Sequence, residues 1–226
     1  MEDGKKMIKV LYEDNSIIVV YKEAGILSQG DKTGDISLLD MVKDYIKKEY
    51  NKPGNVYIGL VHRLDRPVSG IMVFARNSKS ASRLSEQIRN HKLKKEYIAV
   101  VNGIIEKDED TLTDYLIKKD DLKTYVTTKE KGKYSSLSYK VLARDYKKNE
   151  TLVKINLETG RHHQIRVQFA SRGYTLCGDA KYGSKGDNLA LCAYKLTFNH
   201  PITKEEMTFK INLPNNKYFN DFKGIV

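Results

Sequence analysis

"MIKVLYEDNSIIVVYKEAG", residues 7–25, sets two β-branched runs around a turn. Ile8–Tyr12 and Ile17–Tyr21 favour a pleated backbone, and Asp14, Asn15 and Ser16 between them are turn formers. The stretch therefore predicts an antiparallel hairpin. Downstream, "SLLDMVKDYIKKEY" (37–50) predicts an amphipathic helix. Ser37 and Asp40 form a capping-box start, and Leu39, Val42 and Ile46 recur at helical spacing. "IMVFA" (71–75) predicts a short apolar strand. "NSKSASRLSEQIRN" (77–90) predicts a second helix, with Ala81, Leu84 and Ile88 on one side and a basic opposite face.

The second half is strand-rich. Strands are predicted at 97–103, 136–143, 151–157, 189–198 and 207–213, while the polar stretch 118–133 predicts a loop or ribbon. Many strands with few, separated helices give an α+β fold on a mostly antiparallel sheet. With no repeat, low-complexity tract or Pro/Ser-rich linker, the 226 residues are expected to form one domain over 1–226.

Hydrophobic residues make up 40% of the chain, enough for a core. No apolar run is long enough to cross a bilayer, and "MEDGKKMIKVLYEDNS" lacks the apolar centre of a signal peptide, so a cytoplasmic protein without membrane association is expected. Forty Lys+Arg against 29 acids leave a net charge of +11, a balance that attracts polyanions such as RNA. Cys177 and Cys192 do not form a CxxC pair. With no Walker A, GxGxxG, GxSxG or HExxH motif either, nucleotide hydrolysis, dinucleotide redox, serine hydrolysis and metal chemistry lose their usual signatures, and neither cofactor nor metal is expected.

Three segments could carry chemistry. In "VHRLDRPVSG" (61–70), Asp65 lies between Arg63 and Arg66, while Pro67 and Gly70 shape the loop. Neighbouring cations favour an ionised carboxylate, able to act as nucleophile or base; the plainer alternative is an Arg–Asp network pinning a loop. In "TGRHHQIR" (159–166), Arg161, His162, His163, Gln164 and Arg166 make a dense donor set suited to phosphates and base edges. His162 and His163 are expected to point in different directions on either a strand or a helix, and Ile165, Val167 and Phe169 to be core. In "KKEYIAVVNG" (94–103), Tyr97 is expected to begin a strand behind Lys92, Lys94 and Lys95, where it could stack on a base, move a proton or simply pack.

In this order the three segments resemble the RluA-type RNA pseudouridine synthases. "HRLDRPVSG" is similar to that family's catalytic motif, "KKEYIAVVNG" to its Tyr-bearing strand, and "TGRHHQIRVQFASRGYTLCGDAKYG" to its third motif and the Gly-Asp-x-x-Tyr-Gly that follows. "VLYEDNSIIVVYKEAGILSQ" resembles the family's entry hairpin and "AYKLTFNHPITKE" its closing strand. Val68, Cys177 and Cys192 depart from the family's usual Thr, aliphatic and His, and leave the Asp, Tyr and Arg positions intact.

The resemblance implies a pseudouridine synthase catalytic domain with a mixed, mostly antiparallel central sheet and flanking helices, without a separate N-terminal S4 domain. It implies isomerisation of specific uridines in rRNA, tRNA or both, with no cofactor. Asp65 is then the essential carboxylate, Tyr97 packs on the detached uracil, and Arg166 (Arg161 being the alternative) pairs with the aspartate. His62, Arg63, Arg161, His163 and Gln164 contact substrate, with Arg63 filling the space left by a flipped uridine. A monomer is expected. The rival readings are a catalytically idle RNA-binding protein on the same fold, and a base-excising enzyme that would want a second, proton-donating carboxylate.

Overall fold

The computed structural model describes residues 8–226. The charged start read against a signal peptide lies, for residues 1–7, outside them. The chain divides into two compact units, one running to Leu93 and taking in Thr197–Phe209, the other made of Lys94–Leu196 and Lys210–Val226.

In the first unit, β1 (Lys9–Glu13) and β2 (Ile17–Lys22) form the expected hairpin, in antiparallel register from Lys9 opposite Tyr21 to Glu13 opposite Ile18. The turn is an Asx turn: Asp14 Oδ1 accepts from the N–H of Ser16 (2.7 Å) and of Ile17 (2.8 Å). β2 pairs on its other side with β4 (Ser69–Ala75), from Ile17 opposite Ala75 to Lys22 opposite Gly70. All seven residues of β4 are buried, as a near-continuous apolar run requires of an inner strand. The two-residue β3 (Gly59–Leu60) pairs with the far end of β4.

Helix α1 (Leu38–Glu49) starts with both halves of the Ser37–Asp40 capping box in place. Its buried face is Leu38, Val42 and Ile46, an i, i+4, i+8 stripe; Leu39, expected in that stripe, is half-buried. In α2 (Ser78–Arg89) Leu84 is buried, and Ala81 and Ile88 flank it half-buried.

In the second unit β5 (Lys94–Asn102) pairs with β9 (Glu150–Leu157), β9 with β8 (Lys133–Asp145), β8 with β6 (Glu109–Lys118) and β6 with β7 (Thr124–Thr127), all antiparallel. The polar stretch 118–133 thus contains the β7 edge of a ribbon. β6 was not among the predicted strands. Its alternation is carried by only two buried residues, Leu112 and Leu116, set among acids and threonines. β5 begins at Lys94, so Tyr97 is its fourth residue and does not begin the strand. The segment "QIRVQFA" forms the short helix α3 (Gln164–Ala170), in which Ile165, Val167 and Phe169 are buried as expected.

β10 (Leu191–Asn199) contributes residues to both units, and β11 (Glu206–Lys210) pairs with it. β11 stops three residues short of its predicted end; Ile211 still donates its N–H to Tyr194 O (3.0 Å), and Pro214 follows without an N–H to offer. The second unit's core gathers Ile98, Val100, Leu152, Cys177, Cys192, Phe219 and Phe222. Val68, Cys177 and Cys192, the departures from the family pattern, are all buried. Strand-rich, antiparallel and lightly helical, the fold is α+β as predicted. Among the described residues no helix is long and apolar enough to cross a membrane.

Candidate active site

Asp65 lies in the loop 61–68 between β3 and β4. Where β3 ends, a side chain takes over its pairing: His62 Nε2 accepts from Val73 N–H at 3.1 Å, which needs that nitrogen unprotonated. The imidazole therefore ties the loop's entry to β4. Arg63, Arg66 and Pro67 are exposed, Leu64 and Val68 are buried, and Asp65 is half-buried between them. A turn closes over the aspartate as Val68 N–H donates to Asp65 O at 3.0 Å.

The backbone on both sides of Asp65 is held by the end of β2 and the segment that follows it. Ser28, itself buried, donates its hydroxyl to Leu64 O (2.6 Å) and accepts from Leu64 N–H (3.0 Å). On the other side, Arg66 O accepts from Gly25 N–H (2.8 Å) and from Lys22 Nζ (3.1 Å). Gly25 has φ +88, a left-handed conformation that glycine adopts without strain.

Lys22 is wholly buried at the end of β2 and also donates to Ile26 O (2.6 Å) and Glu23 O (3.1 Å). Burial pushes its pKa down to about 8, with the Asp65 carboxylate opposing that shift and the Arg66 guanidinium adding to it. Asp65 thus has a buried cation in its field that sequence spacing did not reveal. Arg66, read as a cationic neighbour of Asp65, makes an ion pair with Asp35 (2.7 Å) and donates Nε to Gly25 O (3.0 Å).

The second unit holds the donor-rich segment. Arg166, 5% exposed, is gripped by Asp179 through Nε–Oδ2 (2.8 Å) and Nη2–Oδ1 (2.7 Å), and lies 5.1 Å from the Tyr182 ring centre. This bidentate fork fixes the guanidinium plane. Gln164 Oε1 accepts from Thr159 Oγ1 (2.8 Å) and Arg161 N–H (3.0 Å), and its Nε2 donates to Ser136 O (3.0 Å) and Gln168 Oε1 (3.0 Å). Four bonds exhaust a side-chain amide, so Gln164 acts here as the scaffold of the 159–161 turn. Arg161 is exposed, with Nε on Tyr134 O (3.1 Å).

The two histidines do not diverge as expected. Their rings stack with centres 3.7 Å apart, because His163 takes a left-handed backbone (φ 50) that is neither strand nor helix. His162 Nδ1 bonds Thr124 Oγ1 (2.8 Å), and His163 Nδ1 bonds the Tyr182 hydroxyl (2.9 Å). Tyr182 OH also accepts from Thr124 N–H (2.9 Å), tying the β7 edge to the start of α3. Burial, with the Arg166 charge and His162 adding to it, drives the His163 pKa down to about 2, so this imidazole stays neutral.

Tyr97, 6% exposed, sits opposite Ile155 in β9. Lys95 has its pKa lowered by burial, and its Nζ lies beside Gly160, where an added Cβ would stand 3.3 Å away. Sequence reading assigned no part to Lys22, Ser28, Asp179 or Tyr182. The last two lie inside the quoted "GDAKYG", which was the one signal available.

The arrangement comprises a carboxylate on a loop clamped from both sides with a buried lysine in its field, and a separately clamped arginine among basic and aromatic groups. Comparison with known proteins gives these chemical groups a context. The family described as RNA pseudouridylate synthase matches residues 16–171. An uncharacterised RNA pseudouridine synthase of Aquifex aeolicus is 35% identical, over 92% of this chain and 70% of its own length. The tRNA pseudouridine synthase C of Haemophilus ducreyi is 32% identical, covering 89% of each chain. Among solved structures, human RNA pseudouridylate synthase domain containing 4 shares the fold at 21% identity, with a TM-score of 0.77 over 92% of this chain and 89% of that one.

Proposed function

The chain belongs to the RNA pseudouridylate synthase family, of the RluA type, and on that premise we propose that Asp65 is the carboxylate on which its reaction turns. The reaction is an isomerisation of uridine in RNA. The bond from ribose C1′ to N1 breaks, a bond from C1′ to C5 forms, N1 gains a proton and C5 loses one. Nothing is oxidised, reduced or hydrolysed.

An aspartate serves this exchange at the ribose only when ionised, whether it attacks C1′ or takes a ribose proton. The observation that carries the assignment is the double clamp on its neighbours, with the buried Lys22 charge in its field. Such a loop holds one half-buried carboxylate in place while leaving it reachable. Arg166 is proposed as the arginine serving Asp65, supported by its immobilised plane, and Tyr97 as the residue that packs on the detached uracil. Arg63, His62, Arg161 and His163 are proposed to line the RNA path, with Gln164 shaping the Arg161 turn. Arg63 is exposed on the loop and long enough to occupy the space of a flipped base, whose extrusion costs a few kcal/mol.

The substrate is proposed to be ribosomal or transfer RNA in the cytoplasm, with residues 1–226 acting as one catalytic domain and as a monomer. The basic stretches 85–95 and 118–133 would hold the phosphates. The test is tritium release from ribosomal and transfer RNA transcripts labelled at C5 of uridine. Wild-type protein should release tritium from at least one class, whereas Asp65→Ala should release none and still bind the same RNA. Binding without release by the wild type would favour the idle RNA-binder, and free uracil among the products would favour base excision.

A further inference from the structure

We propose that Ser28 is a positioning residue for catalysis, its hydroxyl setting the orientation of the Asp65 carboxylate through the Leu64 peptide; this rests on the assignment of Asp65 above. Ser28 reaches the loop from 36 residues away in sequence. Its single proton goes to Leu64 O at 2.6 Å, and its oxygen accepts from Leu64 N–H at 3.0 Å. One side chain thereby supplies both hydrogen bonds that a neighbouring strand would have made with that residue. Loop 61–68 has left the sheet at Leu60, so a side chain must supply them.

The consequence for Asp65 follows from leverage. On its C-terminal side the loop is pinned at Arg66 O by Gly25 N–H and Lys22 Nζ. On its N-terminal side the Ser28 hydroxyl makes both bonds to the Leu64 peptide groups. Ser28 is 5% exposed and Leu64 6% exposed, so water does not readily replace the hydroxyl. Without it, a buried N–H and a buried C=O lose their partner at once, and each then carries an uncompensated desolvation penalty. The cheapest relief for the carbonyl is for the Leu64–Asp65 peptide, which carries it, to rotate toward solvent. Because the far side stays pinned, that rotation swings the carboxylate. Met72 Sδ, 3.6 Å from the hydroxyl, closes the other side of the pocket and offers the freed peptide no comparable partner.

The experiment compares wild type, Ser28→Ala, Ser28→Cys, Ser28→Thr and Asp65→Ala in tritium release from labelled ribosomal and transfer RNA transcripts. RNA affinity and thermal unfolding are recorded for each. Ser28→Ala should lose on the order of tenfold to a hundredfold in kcat, the penalty for misplacing a reacting group by about 1 Å, with KM and RNA affinity within about twofold of wild type. Ser28→Thr, which keeps the hydroxyl, should recover most of the loss. Ser28→Cys, similar in size but a weak hydrogen-bonding group, should fall between them, and it decides by the same criteria if Ser28→Ala does not fold.

The proposal is overturned if the folded Ala or Cys variant keeps kcat within about twofold, if the loss is confined to KM, or if Thr is as poor as Ala. An inactive Asp65→Ala beside a fully active Ser28→Ala would sink the role of Ser28 alone. An active Asp65→Ala would sink the assignment of Asp65 itself.

Discussion

Two buried charges test this reading at the level of single residues. Lys22 has a pKa near 8 because burial penalises its ammonium more than Asp65 and three carbonyl acceptors support it. In the unfolded chain the same amine keeps its ordinary value of about 10.4. Between about pH 8 and 10 the unfolded state therefore binds more protons, and this group's burial penalty is relieved as pH rises through that window. With 13C-labelled lysines, one Cε resonance should titrate near pH 8 and vanish in Lys22→Met. In Asp65→Asn the same resonance should titrate lower still, since the charge opposing the shift is gone. No movement would mean that Lys22 does not sense Asp65. Asp179 offers the complementary case. Asp179→Ala strands the Arg166 guanidinium without its bidentate partner, and should cost about 3–5 kcal/mol in urea unfolding.

Local structure was most readable from sequence where short-range chemistry decides it. The Ser37–Asp40 capping box formed as spaced, and Ser37→Ala should lower stability by about 1 kcal/mol, measured as a shift in the urea midpoint. The β1–β2 turn carries a pH signature. Partial burial raises the Asp14 pKa, but the N–H groups of Ile17 and Ser16 and the facing His200 outweigh it and hold the carboxyl below its usual range. The stability this contributes is present above the unfolded value of about 3.9 and lost as pH falls through the depressed one, so Asp14→Ala should flatten the acid limb of the stability profile below about pH 4. The elements that escaped sequence reading lack a local signal. β6 hides two buried leucines among acids and threonines, and α3 is a single helical stretch whose buried face is completed by partners far along the chain. The His162–His163 stack depended on one left-handed residue, and nothing in the dipeptide announced it.

At the level of the whole molecule, the net charge of +11 is a long-range property that sequence alone supplies. If about five phosphates are neutralised in a single-stranded RNA site, affinity should fall about a hundredfold between 50 and 200 mM salt in a filter-binding assay. A flat response would remove the basic surface from the account of binding. The hairpin, the two helices and most of the strands were legible because propensity and turn chemistry act over a few residues, and the segments bearing Asp65, Tyr97 and Arg166 stood out as ordered motifs. The partners of those groups were not. That Arg66 turns to Asp35, that Asp179 grips Arg166, that Gln164 spends its amide on a turn, and that Lys22 and Ser28 hold the flanks of Asp65 depend on packing between segments distant in the chain. Sequence by itself determined which chemical groups this protein carries and its family's reaction. Only the tertiary structure decided which of them are held, by what and in which ionisation state, because burial and hydrogen-bond geometry arise when distant segments meet.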